Sequence, residues 1–246
     1  MSGGSELVLV HGWAMHGGIF APLAQALSSH FRIHAPDLPG HGLKAQAFVP
    51  ATLSGWAEAL LAEAPERAWW LGWSLGGLVA LEAARLAPER VEGLVLIASS
   101  PRLVRAEDWP GADPALLQGF AAGLAADLTG TLERFLALEV LGSGRPAEAL
   151  RFLRAHAGER GLPAPSALAR GLELLQSADL RPALPALAKP SLWLAGANDR
   201  IVPPAGVEAG ARLAGGSFVR FLRAGHAPFL TRSEEVAAAI LAWARP

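Results

Sequence analysis

Apolar positions along the chain follow two alternating patterns. Short runs that are apolar almost throughout occur at Glu6–His11, Phe31–Pro36, Ala68–Trp73, Glu92–Ser99, Ser191–Gly196 and Ser217–Leu222. Such runs predict strands covered on both faces. Between them, apolar residues recur at three- and four-residue spacing in Phe20–Ser28, Leu53–Ala64, Leu75–Ala87, Pro203–Leu213 and Ser233–Ala244, which predicts helices. The alternation predicts an α/β fold, a mostly parallel sheet flanked by helices. One interval breaks it. Residues 101–189 show no strand pattern but four helical ones, Asp113–Ala126, Thr131–Leu141, Pro146–Ala157 and Ser166–Ala178. An ordinary connection is far shorter, so this stretch is expected to be a helical cap inserted into a core of residues 1–100 and 190–246.

Composition narrows the chemistry. With no cysteine in the chain, disulfides, thiolate nucleophiles and zinc–thiolate sites are excluded. Tyrosine is absent as well. The net charge of −1 argues against nucleic acid, which calls for a basic face. No apolar run approaches the roughly 20 residues of a membrane span, and the N-terminus lacks a secretory pattern, so a cytoplasmic protein, monomeric and off the membrane, is expected. The histidines do not fall at metal-binding spacing and the glycines form no nucleotide loop, so neither a metal nor a cofactor is expected.

Gly72-Trp73-Ser74-Leu75-Gly76 is a G-x-S-x-G pattern between a predicted strand and a predicted helix, the context of a nucleophile elbow. A serine capping an ordinary helix gives the same letters. A serine hydroxyl needs a base. His226 follows the last predicted strand, and Asp199, in Gly196-Ala197-Asn198-Asp199, follows the one before. This gives the chain order Ser, acid, His. Asp179 and Asp37 compete for the acid role, the first ahead of its strand and the second in an early turn. For the oxyanion, the backbone N–H groups of Leu75 and Trp13 are the candidate donors. Trp13 is also a candidate for binding substrate.

The ordered motifs HGW, DLPGHG, GWSLGG, GANDRIVP and GHAPF resemble the α/β-hydrolase superfamily. Further segments, Pro88-Glu89-Arg90-Val91, Asp108-Trp109-Pro110-Gly111, Glu133 to Leu138 and Gly171 to Leu175, resemble the pimeloyl-[acyl-carrier protein] methyl ester esterases of biotin synthesis. The resemblance implies hydrolysis of a methyl ester on a carrier-bound pimeloyl chain, with acyl carrier protein as partner. It implies docking arginines at Arg134 and Arg151, which Arg145 and Arg154 extend, and substrate contacts at Trp73, Phe135 and Leu138. Phe135 and Leu138 could equally pack the cap on the core. Gly130 and Ala147 replace two arginines of the family pattern, and Glu139 stands where it has glutamine. A shortened sheet is also expected, because HGW comes so early. Two rivals remain open: a broad short-chain carboxylesterase without a carrier, and a non-catalytic ligand-binding scaffold.

Overall fold

The computed structural model describes residues 5–244. Its strands are β1 (Ser5–Val10), β2 (Phe31–His34), β3 (Ala68–Trp73), β4 (Val91–Ile97), β5 (Ser191–Gly196) and β6 (Ser217–Phe221). Its helices are α1 (Ala21–Leu27), α2 (Leu53–Leu61), α3 (Leu75–Leu86), α4 (Pro114–Ala126), α5 (Leu128–Val140), α6 (Pro146–His156), α7 (Pro165–Ser177), α8 (Leu184–Leu187), α9 (Pro204–Leu213), α10 (Pro228–Thr231) and α11 (Ser233–Ala244).

The six strands form one sheet in the order β2-β1-β3-β4-β5-β6, every pair parallel. The chain leaves β1 toward β2, then crosses to the other side of β1 to lay down β3. The order thus reverses between β1 and β3, and in open α/β sheets the crevice at the carboxyl ends of such a pair is where ligands bind. Side chains alternate across the sheet. Val8 and Val10 join Trp56, Leu78 and Val207 of α2, α3 and α9 in one apolar layer. Leu7 and Leu9 join Leu23 and Ile240 of α1 and α11 in the other. This two-sided burial is why β1, β3, β4 and β5 read as nearly unbroken apolar runs.

Boundaries differ from the sequence reading where local chemistry intervenes. The helix expected from Phe20 is preceded by a tight turn, Gly17–Phe20, in which the Gly18 N–H is capped by the His16 ring and the Gly17 N–H by the Asp37 carboxylate. The helix expected from Thr131 starts earlier, because the Asp127 carboxylate accepts from the Gly130 N–H. The short helix α10 has no counterpart among the expected elements.

The helices α4 to α7 stand together on the carboxyl edge of the sheet. Their neck closes where the Leu180 N–H donates to the Pro101 carbonyl at 2.9 Å and Arg102 meets Asp179 at 2.9 Å. Farther along, three polar ties fasten them to the loops after β1 and β2. Trp13 Nε1 donates to the Leu168 carbonyl at 2.8 Å, His16 Nε2 to the His156 carbonyl at 2.5 Å, and Arg160 to the Asp37 carboxylate at 3.0 Å.

Candidate active site

Ser74 links the end of β3 to the start of α3 at φ 55° and ψ −119°. A non-glycine residue rarely adopts a positive φ, and the surroundings must hold it there. The Ser74 N–H donates to the Ile97 carbonyl at 3.0 Å, and its own carbonyl accepts from Gly77 N–H and Ser99 Oγ, both at 2.9 Å. The flanking glycines are required by close approach: a Cβ on Gly76 would lie 2.1 Å from the Val10 carbonyl oxygen. The Ser74 side chain makes no capping bond, so this serine does not serve as an ordinary helix cap. Ser74 borders a crevice too narrow to admit a water molecule, beside Ser99, Leu103, Leu175 and Val202.

His226 and Asp199 come from the loops after β6 and β5. His226 Nδ1 lies 2.8 Å from Asp199 Oδ2, with both side chains fully buried. The other carboxylate oxygen accepts from the N–H groups of Ile201 at 2.8 Å and Val202 at 3.0 Å. An ionised carboxylate only accepts, so the proton belongs on Nδ1 and Nε2 keeps its lone pair. That Nε2 is buried and has no partner among the described residues. Ser74 Oγ and Nε2 are therefore not hydrogen-bonded in this resting form; such bonds commonly tighten only once substrate is bound. The competing acids are engaged elsewhere. Asp179 lies at the neck, where hydrogen bonds from Arg181 and Arg102 lower its pKa to about 2. Asp37 accepts from the amides of Gly17 and Leu43 and from Arg160.

Among the described residues, the N–H groups of Leu75 and Trp13 donate to no partner, which leaves both free for an oxyanion. The turn that carries Trp13 is shaped by His11. Its Nδ1 donates to the Gly12 carbonyl at 2.8 Å and its Nε2 accepts from the Leu38 N–H at 2.9 Å. Burial, then the His41 ring, hold the His11 pKa well below the usual imidazole value. It is neutral, as its two opposite hydrogen-bonding roles require.

The structure separates the expected substrate contacts. Trp13 and Phe135 meet edge to face, with centroids 4.7 Å apart, above the oxyanion turn, and Leu138 is half-buried next to them. Trp73 stands on the other side of the turn, with its ring 5.7 Å from that of His226 and against Gly12. As the last residue of β3 it turns to the opposite face, donates from Nε1 to the His226 carbonyl at 2.9 Å and packs on Phe229. Pleat alternation decides this, because the residue before the elbow must point away from the serine's side of the sheet.

The four arginines expected to dock a carrier are all exposed. Arg154 pairs with Glu133 at 2.8 Å and Arg145 with Glu148 at 3.5 Å. Arg134 bonds only the neighbouring Thr131 hydroxyl, and Arg151 meets no carboxylate among the described residues. One buried polar residue close to the acid and base was not expected to lie there. Glu139, on α5, is enclosed together with Phe135, four residues earlier. That spacing places it on the apolar stripe of its helix, which is the signal its position carried.

Residues 7–233 match the alpha/beta hydrolase fold family. A protein of Stenotrophomonas maltophilia (strain R551-3) named pimeloyl-[acyl-carrier protein] methyl ester esterase is 53% identical over 96% of this chain and 92% of its own length. One of the same name from Xanthomonas oryzae pv. oryzae (strain MAFF 311018) is 50% identical, over 96% and 94%. Among solved structures, an esterase from Exiguobacterium antarcticum superposes with a TM-score of 0.86 at 20% identity, covering 100% of this chain and 94% of that one, which speaks for the fold alone. An esterase from Thermogutta terrifontis gives 0.80 at 26% identity, over 99% and 90%. With the family match spanning nearly all of the sheet and insertion, the chain belongs to the alpha/beta hydrolase fold family.

Proposed function

We propose that this chain is a serine carboxylesterase that hydrolyses the methyl ester of a pimeloyl chain carried on acyl carrier protein. The observation that carries the reading is the buried His226–Asp199 pair at 2.8 Å, whose remaining imidazole nitrogen has no partner among the described residues. The names of relatives at about half identity over nearly the whole chain support the choice of substrate.

In this mechanism Ser74 attacks the ester carbonyl while His226 Nε2 takes its proton. The N–H groups of Trp13 and Leu75 stabilise the oxyanion, a contribution of about 3–4 kcal/mol per donor in comparable sites. His226 then protonates the leaving methoxide. Methanol departs and an acyl-serine remains. Water, deprotonated by His226, frees the distal carboxylate. Asp199 holds the ring and stabilises its protonated form. An apolar cavity of about 430 Å³ between α4 and α7, walled by Leu124, Leu128, Leu168 and Leu172, is the space this reading assigns to the methylene chain. Gly171, on the same helix face, lies against Trp13 and Leu75. Arg134 and Arg151 serve the acidic carrier. On this reading the enzyme is a monomer of the cytoplasm. Among the described residues no helix is long and apolar enough to cross a membrane.

Incubation with the carrier-bound methyl ester, followed by mass spectrometry, tests the reading. Conversion of methyl ester to free acid, a net loss of one CH2, is expected; an unchanged mass overturns it. The ion pairs that engage Arg145 and Arg154 favour a second reading, a broad carboxylesterase without a carrier. Joint substitution Arg134→Glu and Arg151→Glu separates the two. We expect about tenfold loss of kcat/KM on the carrier-bound ester, roughly 1.4 kcal/mol, and no change on a free short-chain ester. Equal activity of both proteins on the carrier-bound ester favours the second reading.

A further inference from the structure

The loop after β6 runs through Leu222 and Arg223 to His226, and it meets the chain just past α5. The His226 N–H donates to the Glu139 carbonyl at 2.9 Å, and a Cβ on Gly225 would lie 2.7 Å from the Leu141 oxygen. Along this seam between core and insertion lies a polar pocket of about 420 Å³. It shares no wall residue with the crevice at Ser74.

Three guanidinium groups border the pocket. Arg145 comes from the insertion, Arg223 from the loop that carries His226, and Arg232 from the turn between α10 and α11. One carboxylate borders it, that of Glu235, which accepts from Arg232 Nε at 2.9 Å. Arg232 also donates from Nη1 to the Leu222 carbonyl. These two bonds fix its guanidinium and leave Nη2 unengaged among the described residues. Arg145 meets Glu148 in an exposed pair at 3.5 Å, a contact easily exchanged for another. Arg223 has no hydrogen-bond or ion-pair partner among the described residues. Its φ of 55° is one that glycine adopts without strain, and strain of this kind gathers at functional positions. Thr231 forms a further wall, and its Oγ1 is buried with no partner among the described residues. The helix α6 starts at the rim, with Arg145 as its N-cap and no side chain capping its first amides; the positive end of its dipole adds to the same field.

Arg145 and Thr231 also border a second hollow of about 120 Å³, whose other walls are Glu148, Ala149, Phe152 and Leu230. A cationic pocket and a largely apolar one therefore adjoin. We propose that the two together are a binding site for a small phosphate monoester that carries an apolar group. Guanidinium groups from three segments match the several oxygens of a tetrahedral dianion, whereas a carboxylate offers two, enough for one fork. The apolar group rests on Phe152 and Leu230. The bound ligand ties Arg145 of the insertion to Arg223 of the His226 loop. The site is separate from the ester chemistry and stands whether or not Ser74 is a nucleophile.

The experiment is calorimetric titration at constant ionic strength with phenyl phosphate, inorganic phosphate and acetate. Phenyl phosphate is expected to saturate one site with a Kd of about 1 mM or below. It should bind about fivefold tighter than inorganic phosphate, because its ring leaves water, and acetate should show no saturable binding. Arg223→Gln and Arg145→Gln should each weaken phenyl phosphate about fivefold or more. Arg212→Gln, which removes the same charge from an exposed position on α9, should leave it unchanged. Phe152→Ala should bring phenyl phosphate to the affinity of inorganic phosphate. The Arg145 side chain is exposed, so its variant carries the comparison if another folds poorly. A wild type without saturable binding, equal weakening by Arg212→Gln, or acetate bound as tightly as phosphate overturns the proposal. Inorganic phosphate bound as tightly as phenyl phosphate by the wild type overturns the ester and assigns the pocket to free phosphate.

Discussion

In the sheet core, β1, β3, β4 and β5 are buried on both faces, and backbone meets backbone at the glycines around Ser74. In the insertion, each helix buries one stripe and leaves the rest to water, and some of its glycines touch nothing: a Cβ on Gly119 of α4 would have no neighbour within 4 Å. The core thus holds its site by close packing, which tolerates no added atom. The insertion reaches the same site through single tethers, such as Leu168 to Trp13 and Glu139 to His226. Strain at the serine is stored where the structure is rigid, and adjustment is left to the part held at points.

The largest expected effect lies in the core. Ser74→Ala should lower kcat by about 10⁴-fold or more, measured on any ester the wild type turns over, while thermal unfolding stays unchanged because alanine keeps the same backbone. Next come paired glycine substitutions that set one region against the other. Gly76→Ala should destabilise by about 3 kcal/mol, since its methyl meets the Val10 carbonyl. Gly119→Ala, on an exposed helix, should stabilise by about 0.5–1 kcal/mol. Denaturant titration of the two variants measures the contrast, and equal effects would remove it.

Two buried titrations sharpen the same comparison with opposite signs. In the core, burial lowers the His41 pKa to about 4, and His11 is lowered too. The unfolded chain then binds more protons than the folded one below the ordinary histidine value. The core should lose stability as pH falls from about 6.5 to about 4, by on the order of 3 kcal/mol for His41. In the insertion, Glu139 is raised. Its unfolded form releases the proton first, so it costs stability as pH rises above the ordinary carboxylate value. Glu139→Gln should therefore be more stable than wild type at pH 7, and the advantage should shrink toward pH 4.5. Unfolding free energies measured against pH for both proteins check the two signs.

Much of this was legible from local patterns. Ser74, Asp199 and His226 each sit just past an apolar run, and a chain that alternates strand and helix brings such positions to one edge of a sheet. The arginines expected to dock a carrier differ in ways their type does not show: Arg134 and Arg145 carry the same charge, yet Arg145 faces Glu148 three residues away and Arg134 does not meet a carboxylate among the described residues. What the sequence did not show for Trp73 is its partner: its Nε1 donates to the His226 carbonyl, a residue far along the chain.

The sequence by itself determined the fold class, and it singled out Ser74, Asp199 and His226 as the proposed triad, because strand length, helical period and motif order are properties of neighbouring residues. Only the tertiary structure decided which histidine nitrogen is free, which amides near Ser74 have no partner among the described residues and what lies beside Asp199. Those depend on groups distant along the chain, such as Glu139 and His226, and on burial, which sets whether a carboxyl keeps its proton.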